Sequence, residues 1–240
     1  MTMSHENKNP NESEKGSAIS SLKNSVNTIL HNPILLVPVI SGVVVLALLD
    51  SLVDLIAWNY TEDPFTGFWF EDLSWFPTQY VLFSYLCLFA GLILFYSFYF
   101  MSIYMAKDIK LNLKPDIKKS LNPTGTYIRL PLFAAILIGQ ALLMTVVLVP
   151  FGLLVLVIAV VDNDSIGGTL SKAIKFFRSK PLDIVILSLA WLIPRAIFTA
   201  ISLMHVPYAF QISAITDLIA GVALVNLYMS SNPSTQPPAS

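Results

Sequence analysis

Arg195 is the ionisable residue whose position in the sequence most needs an explanation. It lies about thirteen residues into an apolar stretch, 182–204. A charge near the middle of a bilayer costs about 2.5–3.5 kcal/mol on insertion scales, so such a residue needs a partner or water. Asp217 lies about seven residues into the next apolar stretch, 210–229, which we expect to return antiparallel. The sequence therefore predicts that Arg195 and Asp217 lie at similar depth and form an ion pair.

Three further polar residues interrupt apolar stretches and could join this pair. Asp50 and Asp54 are four residues apart and would share one face of a helix, while Gln140 lies within a long uncharged run. One interpretation is a polar pathway, or an ion or proton site, formed by Arg195, Asp217, Asp50, Asp54 and Gln140. The other is an Arg195–Asp217 pair that fixes helix packing, with the remaining carboxylates hydrated near the outer interface. We favour the second interpretation.

The sequence offers no catalytic or metal-binding pattern. The three histidines, His5, His31 and His205, are far apart, and Cys87 is the single cysteine. They form no metal-ligand cluster. Phosphate-binding glycine loops, nucleophile elbows and metalloprotease motifs are absent from the sequence. We therefore predict no enzymatic activity, no cofactor and no nucleic-acid partner.

Composition points to a membrane protein. Hydrophobic residues make up 55% of the chain, charged residues only 12%, and the mean hydropathy is +0.69. Long unbroken apolar runs predict an all-α, polytopic bundle over residues 19–230. Residues 1–18 and 231–240 are polar or rich in proline and serine, and we predict that both tails are disordered.

The number of spans depends on residues 130–161, which carry no charge. A straight helix of that length would run to about 48 Å, against a hydrocarbon core of about 30 Å. Pro150 is the expected break, because proline removes a backbone donor and clashes with the preceding turn. If this stretch crosses the membrane twice, the protein has about six spans, and the segment after Pro150 is a short one. A single tilted, kinked crossing gives five.

The distribution of basic residues favours six spans. The loop 59–79 contains no lysine or arginine, while 106–129 contains six basic residues and 162–181 contains four. Basic loops lie preferentially on the cytoplasmic side. The loops 106–129 and 162–181 both lie on the cytoplasmic side only if residues 130–161 cross the membrane twice. We therefore expect both termini to be cytoplasmic in the plasma membrane. The acceptor pattern Asn59-Tyr60-Thr61 is too short to decide whether it is glycosylated.

Two segments of the chain resemble each other. Residues 21–33 align without gaps with 169–181, so that Leu22 matches Leu170, Val26 matches Ile174, and Pro33 matches Pro181. Each segment predicts a short amphipathic helix that ends at a proline just before a span. In the first, we expect the apolar face to lie on the membrane, opposite a polar face. The apolar side chains are Leu22, Val26, Ile29 and Leu30, and the polar ones are Lys23, Asn24, Asn27 and His31.

This pattern, with the Asp-rich link VVDNDSIGGTLSKAIKFFRSKP into the second copy, resembles a family of uncharacterised multi-pass membrane proteins, mostly archaeal. They are similar to the membrane domain that precedes some glycerophosphodiester phosphodiesterases. The resemblance implies a helical membrane bundle and no activity, because the chain has no phosphodiesterase domain.

Two functions fit these features. The first is a non-enzymatic membrane component that organises lipid or protein partners, with basic residues on the amphipathic helices facing anionic lipid headgroups. The second is a small transporter or channel built around the intramembrane Arg/Asp site. The second predicts that those residues line a hydrated cavity, whereas the first predicts that they pack against each other.

Overall fold

The computed structural model describes residues 17–57, 78–121, 149–162, 164–202 and 209–232. The regular elements of these ranges are helical. In chain order, with a 3-10 turn at Pro33–Leu35 between the first two, they are α1 (Ala18–His31), α2 (Leu36–Ala57), α3 (Thr78–Lys110), α4 (Ile117–Leu121), α5 (Val149–Asp162), α6 (Ile166–Ser179), α7 (Pro181–Ser202) and α8 (Ala209–Ser231).

Four of the described helices are long and apolar enough to cross a membrane: α2, α3, α7 and α8. This confirms an all-helical architecture for the described residues, with four candidate membrane-spanning helices. α5 is apolar up to its last residue, Asp162, and Pro150 is its second residue. Its 14 described residues span about 21 Å at about 1.5 Å per residue. The residues that precede it, 122–148, lie outside the described part of the chain.

The centre of the bundle is α8, the last helix of the chain. In its apolar window 78% of the residues are buried, against 22–25% in the windows of α2, α3 and α7. α8 contacts α1, α2, α3, α5 and α7. α5 is also enclosed, with every side chain from Gly152 to Ile158 buried. A helix that is apolar on all sides is stable only when it is surrounded, so these two helices form the core.

The remaining long helices lie around this core and expose apolar side chains. α2 and α3 pack tightly against each other, and glycines allow the close approach. A Cβ added at Gly91 would lie 2.8 Å from the Leu46 side chain. The outward faces of α2, α3 and α7 expose leucine, valine, isoleucine and phenylalanine. Exposed apolar faces of this size suit contact with lipid chains.

The C-terminal ends of α3, α5 and α8 lie together. Lys107 Nζ donates a hydrogen bond to the carbonyl oxygen of Val161 at the end of α5. Tyr228 Oη, in the last turns of α8, donates to a carboxylate oxygen of Asp162 at 2.8 Å. α3, α5 and α8 therefore run in the same direction, and their polar ends form one surface.

Several predicted boundaries shift by a few residues. α3 continues to Lys110, so Lys107 and Lys110 belong to the helix and not to the following loop. Ser17 and Ala18, which the sequence assigned to the N-terminal tail, form the cap and first residue of α1, and Ser231 ends α8. The rest of the predicted tails, 1–16 and 232–240, lies outside the described residues apart from Asn232, and Asn59 also lies outside them.

Candidate functional site

Arg195 and Asp217 form the predicted pair. Arg195 Nη1 lies 2.7 Å from Asp217 Oδ2, joining α7 to α8. The Asp217 side chain is 6% exposed and the Arg195 side chain 23%. The guanidinium also lies over the Trp191 ring, 5.1 Å from its centroid, which is a favourable cation–π geometry. The pair is therefore closed: each charge has its partner in contact and an aromatic ring covers the cation.

Close packing of α3 against α8 surrounds this pair. Tyr99 Oη donates to the backbone carbonyl of Asp217 at 3.0 Å. A Cβ added at Gly221, one turn further along α8, would lie only 2.2 Å from the Tyr99 hydroxyl. Glycine is therefore required for this approach. Asp217 Oδ1 is buried and accepts no hydrogen bond among the described residues.

The side chains of the other three candidate residues lie outside the described part of the chain. Asp50 and Asp54 lie in α2, but their side chains lie outside the described part of the chain. Gln140 lies in 122–148, also outside it. No group of three or more histidine, cysteine or acidic residues among the described residues could hold a metal ion. The site that the structure describes is thus the Arg195–Asp217 pair alone.

The two amphipathic helices are closely equivalent, as the sequence alignment predicts. α1 and α6 each have 14 residues. Their N-caps, Ser17 and Ser165, occupy equivalent positions, and each serine oxygen accepts a hydrogen bond from the N–H three residues later. A serine at this position satisfies one of the unpaired donors of the first turn. Both helices thus have the same kind of N-cap.

Burial is also equivalent at the centre of the two helices. Ser25 of α1 and Ala173 of α6 are both 0% exposed. The next residues, Val26 and Ile174, are 41% and 43% exposed. α1 packs on α8 and α6 packs on α5, so each amphipathic helix lies against one of the two core helices.

This packing corrects the predicted orientation of α1. Ser21, Ser25 and Ile29 face the bundle, because small serines let α1 approach α8 closely. Val26 and Leu30, expected on the same face as Ile29, are exposed, and Leu30 is 71% exposed. The helix therefore has an inner face of small residues, an outer apolar face and a polar face. The first backbone N–H of α1 donates to Asp183 Oδ1 of α7 at 2.8 Å, which ties the helix to a span.

Ionic contacts join α6 to the end of α5. Lys172 Nζ lies 2.7 Å from Asp162 Oδ2 and 3.2 Å from Asp164 Oδ2. The hydrogen bond to Asp162 raises the pKa of Lys172. The backbone N–H of Ser165 and the hydrogen bond from Lys172 lower the pKa of Asp164. Asp162 and Asp164 therefore both bind Lys172, which ties α6 to the end of α5.

A polar groove of about 480 Å³ lies where α1, the end of α3 and α8 meet. We call it the polar groove and define it by its lining residues: Asn24, Asn27, Thr28, His31, Asn32, Ala106, Ile109, Lys110, Asn112 and Asn226. Sequence reasoning missed it. Asn226 was a visible signal, as an amide within the apolar stretch that follows Asp217, but nothing in the sequence connects Asn226 with α1.

Comparison of the chain with protein-family models, with curated proteins and with solved structures gives no match. The resemblance to multi-pass archaeal membrane proteins therefore stays a prediction. The function has to be argued from the geometry of the pair, the amphipathic helices and the polar groove.

Proposed function

We propose that the protein is a non-enzymatic integral membrane component that organises anionic lipid at the cytoplasmic surface of the membrane. The observation that carries this proposal is the attachment of both amphipathic helices to core helices. Their inner faces are fixed at Ser25 and Ala173, so Val26 and Ile174 face outwards at defined positions. Apolar side chains held in this way enter the interfacial region of a bilayer.

Positive charge accompanies these apolar side chains on α6. Lys175 and Arg178 are exposed, while Ile166 and Ile174 lie exposed on the same helix. Basic residues near a membrane surface attract anionic lipid with about 1 kcal/mol each. This combination supports lipid as the main partner, with other membrane proteins as the further possibility that the sequence left open.

We also propose six spans with both termini cytoplasmic. The contact between Lys107 and Val161 supports this topology. If 130–161 crossed the membrane once, Val161 would lie on the opposite side from the basic end of α3. Both amphipathic helices then lie on the same side, which disfavours an inverted repeat of the kind that many transporters use.

The geometry of the Arg195–Asp217 pair supports a structural role. A transport site requires space for a hydrated substrate beside the polar residues. Here the two charged groups are in direct contact and Trp191 covers the guanidinium. We therefore rank the transporter alternative second.

The first experiment measures lipid selectivity. The protein is reconstituted in phosphatidylcholine vesicles with spin-labelled phosphatidylglycerol or spin-labelled phosphatidylcholine, and the motionally restricted fraction of each label is compared. We expect more restriction of the anionic label, and a smaller difference in a Lys175→Gln/Arg178→Gln variant. Equal restriction of the two labels in the unmodified protein would contradict the proposed function.

Topology is tested separately by single cysteines in a Cys87-free background. Ser171 on α6 and Ser230 on α8 are both exposed, so substitution disturbs no packed side chain. We expect both cysteines to react with an impermeant reagent only from the cytoplasmic side. Reaction of Ser171→Cys from outside would mean one crossing by 130–161 and would raise the transporter alternative above lipid organisation.

A further inference from the structure

The polar groove has the charge of an anion site. Among its ten lining residues, Lys110 is a cation and His31 an ionisable base, and there is no carboxylate. Lys110 is exposed and has no carboxylate within ion-pair distance among the described residues. Its ammonium group is therefore available to a ligand. An unneutralised cation in a concave polar surface attracts an anionic ligand.

One buried amide in the groove lacks a partner. Asn226 is 7% exposed, and its Nδ2 donates no hydrogen bond to any group in the described part of the chain. A buried donor left without an acceptor is costly, because it loses its hydrogen bond to water without gaining another. The groove is the space that borders this side chain. Asn226 lines the groove, so an oxygen of a bound ligand is a candidate acceptor for this amide.

Other groove amides are available to hydroxyl groups. Asn24 and Asn27 are exposed, and their side-chain amides make no hydrogen bond within the described residues. Thr28 and Asn32 use their donors on α1 itself, donating to Asn24 and Thr28 carbonyls at 2.7 and 3.0 Å. Each free amide can both donate and accept, which matches a hydroxyl group. A ligand with both phosphate and hydroxyl oxygens therefore matches the cation Lys110 and the free amides of the groove.

The groove lies at the level of lipid headgroups. Lys110 is the last residue of the apolar window Val81–Lys110, and Asn32 directly precedes Pro33, where the window of α2 begins. Polar side chains at the ends of spans face the interfacial region. We propose that the polar groove binds the phosphate-bearing polyol headgroup of one anionic lipid. This inference rests on the proposed function and adds a single, specific binding site to it.

The test is native mass spectrometry of the full-length protein in detergent, titrated with phosphatidylglycerol. The variant is Lys110→Gln, and its matched control is Lys23→Gln, which removes an exposed lysine of α1 that does not line the groove. Removal of one charge-assisted hydrogen bond should weaken the first bound phosphatidylglycerol about tenfold. We expect the control to bind like the unmodified protein. We also expect phosphatidylcholine to bind more weakly and without dependence on Lys110.

A second variant distinguishes a loss of lipid binding from a loss of stability. Asn27→Asp places a carboxylate on the exposed rim of the groove, where it disturbs no packed side chain. It should weaken phosphatidylglycerol binding by repulsion while thermal stability stays unchanged. If Lys110→Gln lowers stability but neither variant changes binding, Lys110 only stabilises the C-terminus of α3 and the proposal is wrong.

A third titration distinguishes the two sources of this chemistry. Soluble glycerol 3-phosphate is added in place of the lipid. Weak or absent binding, with tight binding of phosphatidylglycerol, supports a lipid. Equally tight binding of glycerol 3-phosphate with the same dependence on Lys110 would overturn the lipid assignment in favour of a soluble ligand. Selective restriction of anionic lipid in vesicles without any effect of Lys110→Gln would reject the groove and leave the proposed function standing.

Discussion

The two segments that begin with an amphipathic helix and continue into a span, α1–α2 and α6–α7, have one scaffold and different surface chemistry. Caps, helix length and the burial of the central residues are equivalent. The polar positions differ. Where α1 and its C-cap carry the amides Asn24, Asn27 and Asn32, the aligned positions carry lysines, which are Lys172, Lys175 and Lys180.

This difference separates the residues that pack the two helices against the core from the residues that contact other polar groups. Small residues are required wherever an amphipathic helix meets a core helix, so Ser25 and Ala173 are constrained alike. The outward polar positions are not packed into the core, so their side chains can differ between the two segments. In the second segment Lys172 binds two aspartates. In the first segment the amides line the polar groove.

We expect the largest loss of stability at Arg195, the residue that most distinguishes the span α7 from the span α2. Counted from the prolines Pro33 and Pro181, Arg195 of α7 occupies the position that Ala47 has in α2. Arg195→Leu leaves Asp217 buried without its partner, and breaking a buried pair costs about 3–5 kcal/mol. We expect a large loss of thermal stability in detergent.

The double variant Arg195→Leu/Asp217→Leu should recover most of this loss, because apolar residues often replace a buried pair at little cost. A double variant as unstable as the single one would contradict the purely structural interpretation of the pair.

The next effect tests whether the packing of the two amphipathic helices is equivalent. Ser25→Leu and Ala173→Leu each insert a large side chain into a closed contact, at a cost of about 1–3 kcal/mol. We expect similar losses of thermal stability from both. Val26→Leu and Ile174→Leu, at the exposed neighbouring positions, serve as controls and should change stability little. A large loss from only one of the buried changes would break the equivalence.

The N-caps provide a smaller and more local comparison. Ser17→Ala and Ser165→Ala each remove an acceptor for a first-turn N–H, which costs about 0.5–2 kcal/mol. The two losses in unfolding free energy should agree, and Ser165→Asp should retain stability because aspartate caps as well as serine. Hydrogen exchange at the first turns of α1 and α6 localises the effect. Faster exchange in one helix only would mean that tertiary contacts replace the cap in the other.

The smallest expected change in stability comes from the charge of Lys172, since α1 carries an amide, Asn24, at the aligned position. The pKa of Asp164 is lowered, so its stabilising effect is present above the usual aspartate range and is lost as pH falls through the lowered value. The pKa of Lys172 is raised, so its effect is present below the usual lysine value and is lost as pH rises through the raised one. Lys172→Met should flatten the alkaline end of the stability–pH curve, measured as melting temperature. It should flatten the acid end only in part, because the Ser165 N–H still lowers the pKa of Asp164. Asn24→Met, at the aligned position, should leave the curve unchanged.

Much of this architecture follows from local patterns. The apolar stretches identify the spans α2, α3, α7 and α8 because a bilayer requires long uncharged helices. The pairing of Arg195 with Asp217 follows from equal depth on consecutive helices, since a charge at that depth needs a partner. The resemblance between residues 21–33 and 169–181 predicts two similar helices because proline and amphipathic spacing act locally.

Which face of α1 is buried could not be predicted, since apolar spacing alone does not distinguish a lipid-facing residue from a core residue. In a membrane both environments are apolar, so Val26 and Ile29 carry the same signal although only Ile29 is buried. The six-span count also stays a prediction, because 122–148 lies outside the described residues.

The sequence by itself determined the helices, their membrane character and the Arg195–Asp217 pair, because hydropathy, helical period and the cost of a buried charge act within or between neighbouring segments. Only the tertiary structure decided that α8 is central, that α1 packs on it, and that Asn226 meets Lys110 in one groove. Those contacts join residues that are far apart in the sequence and therefore share no local pattern.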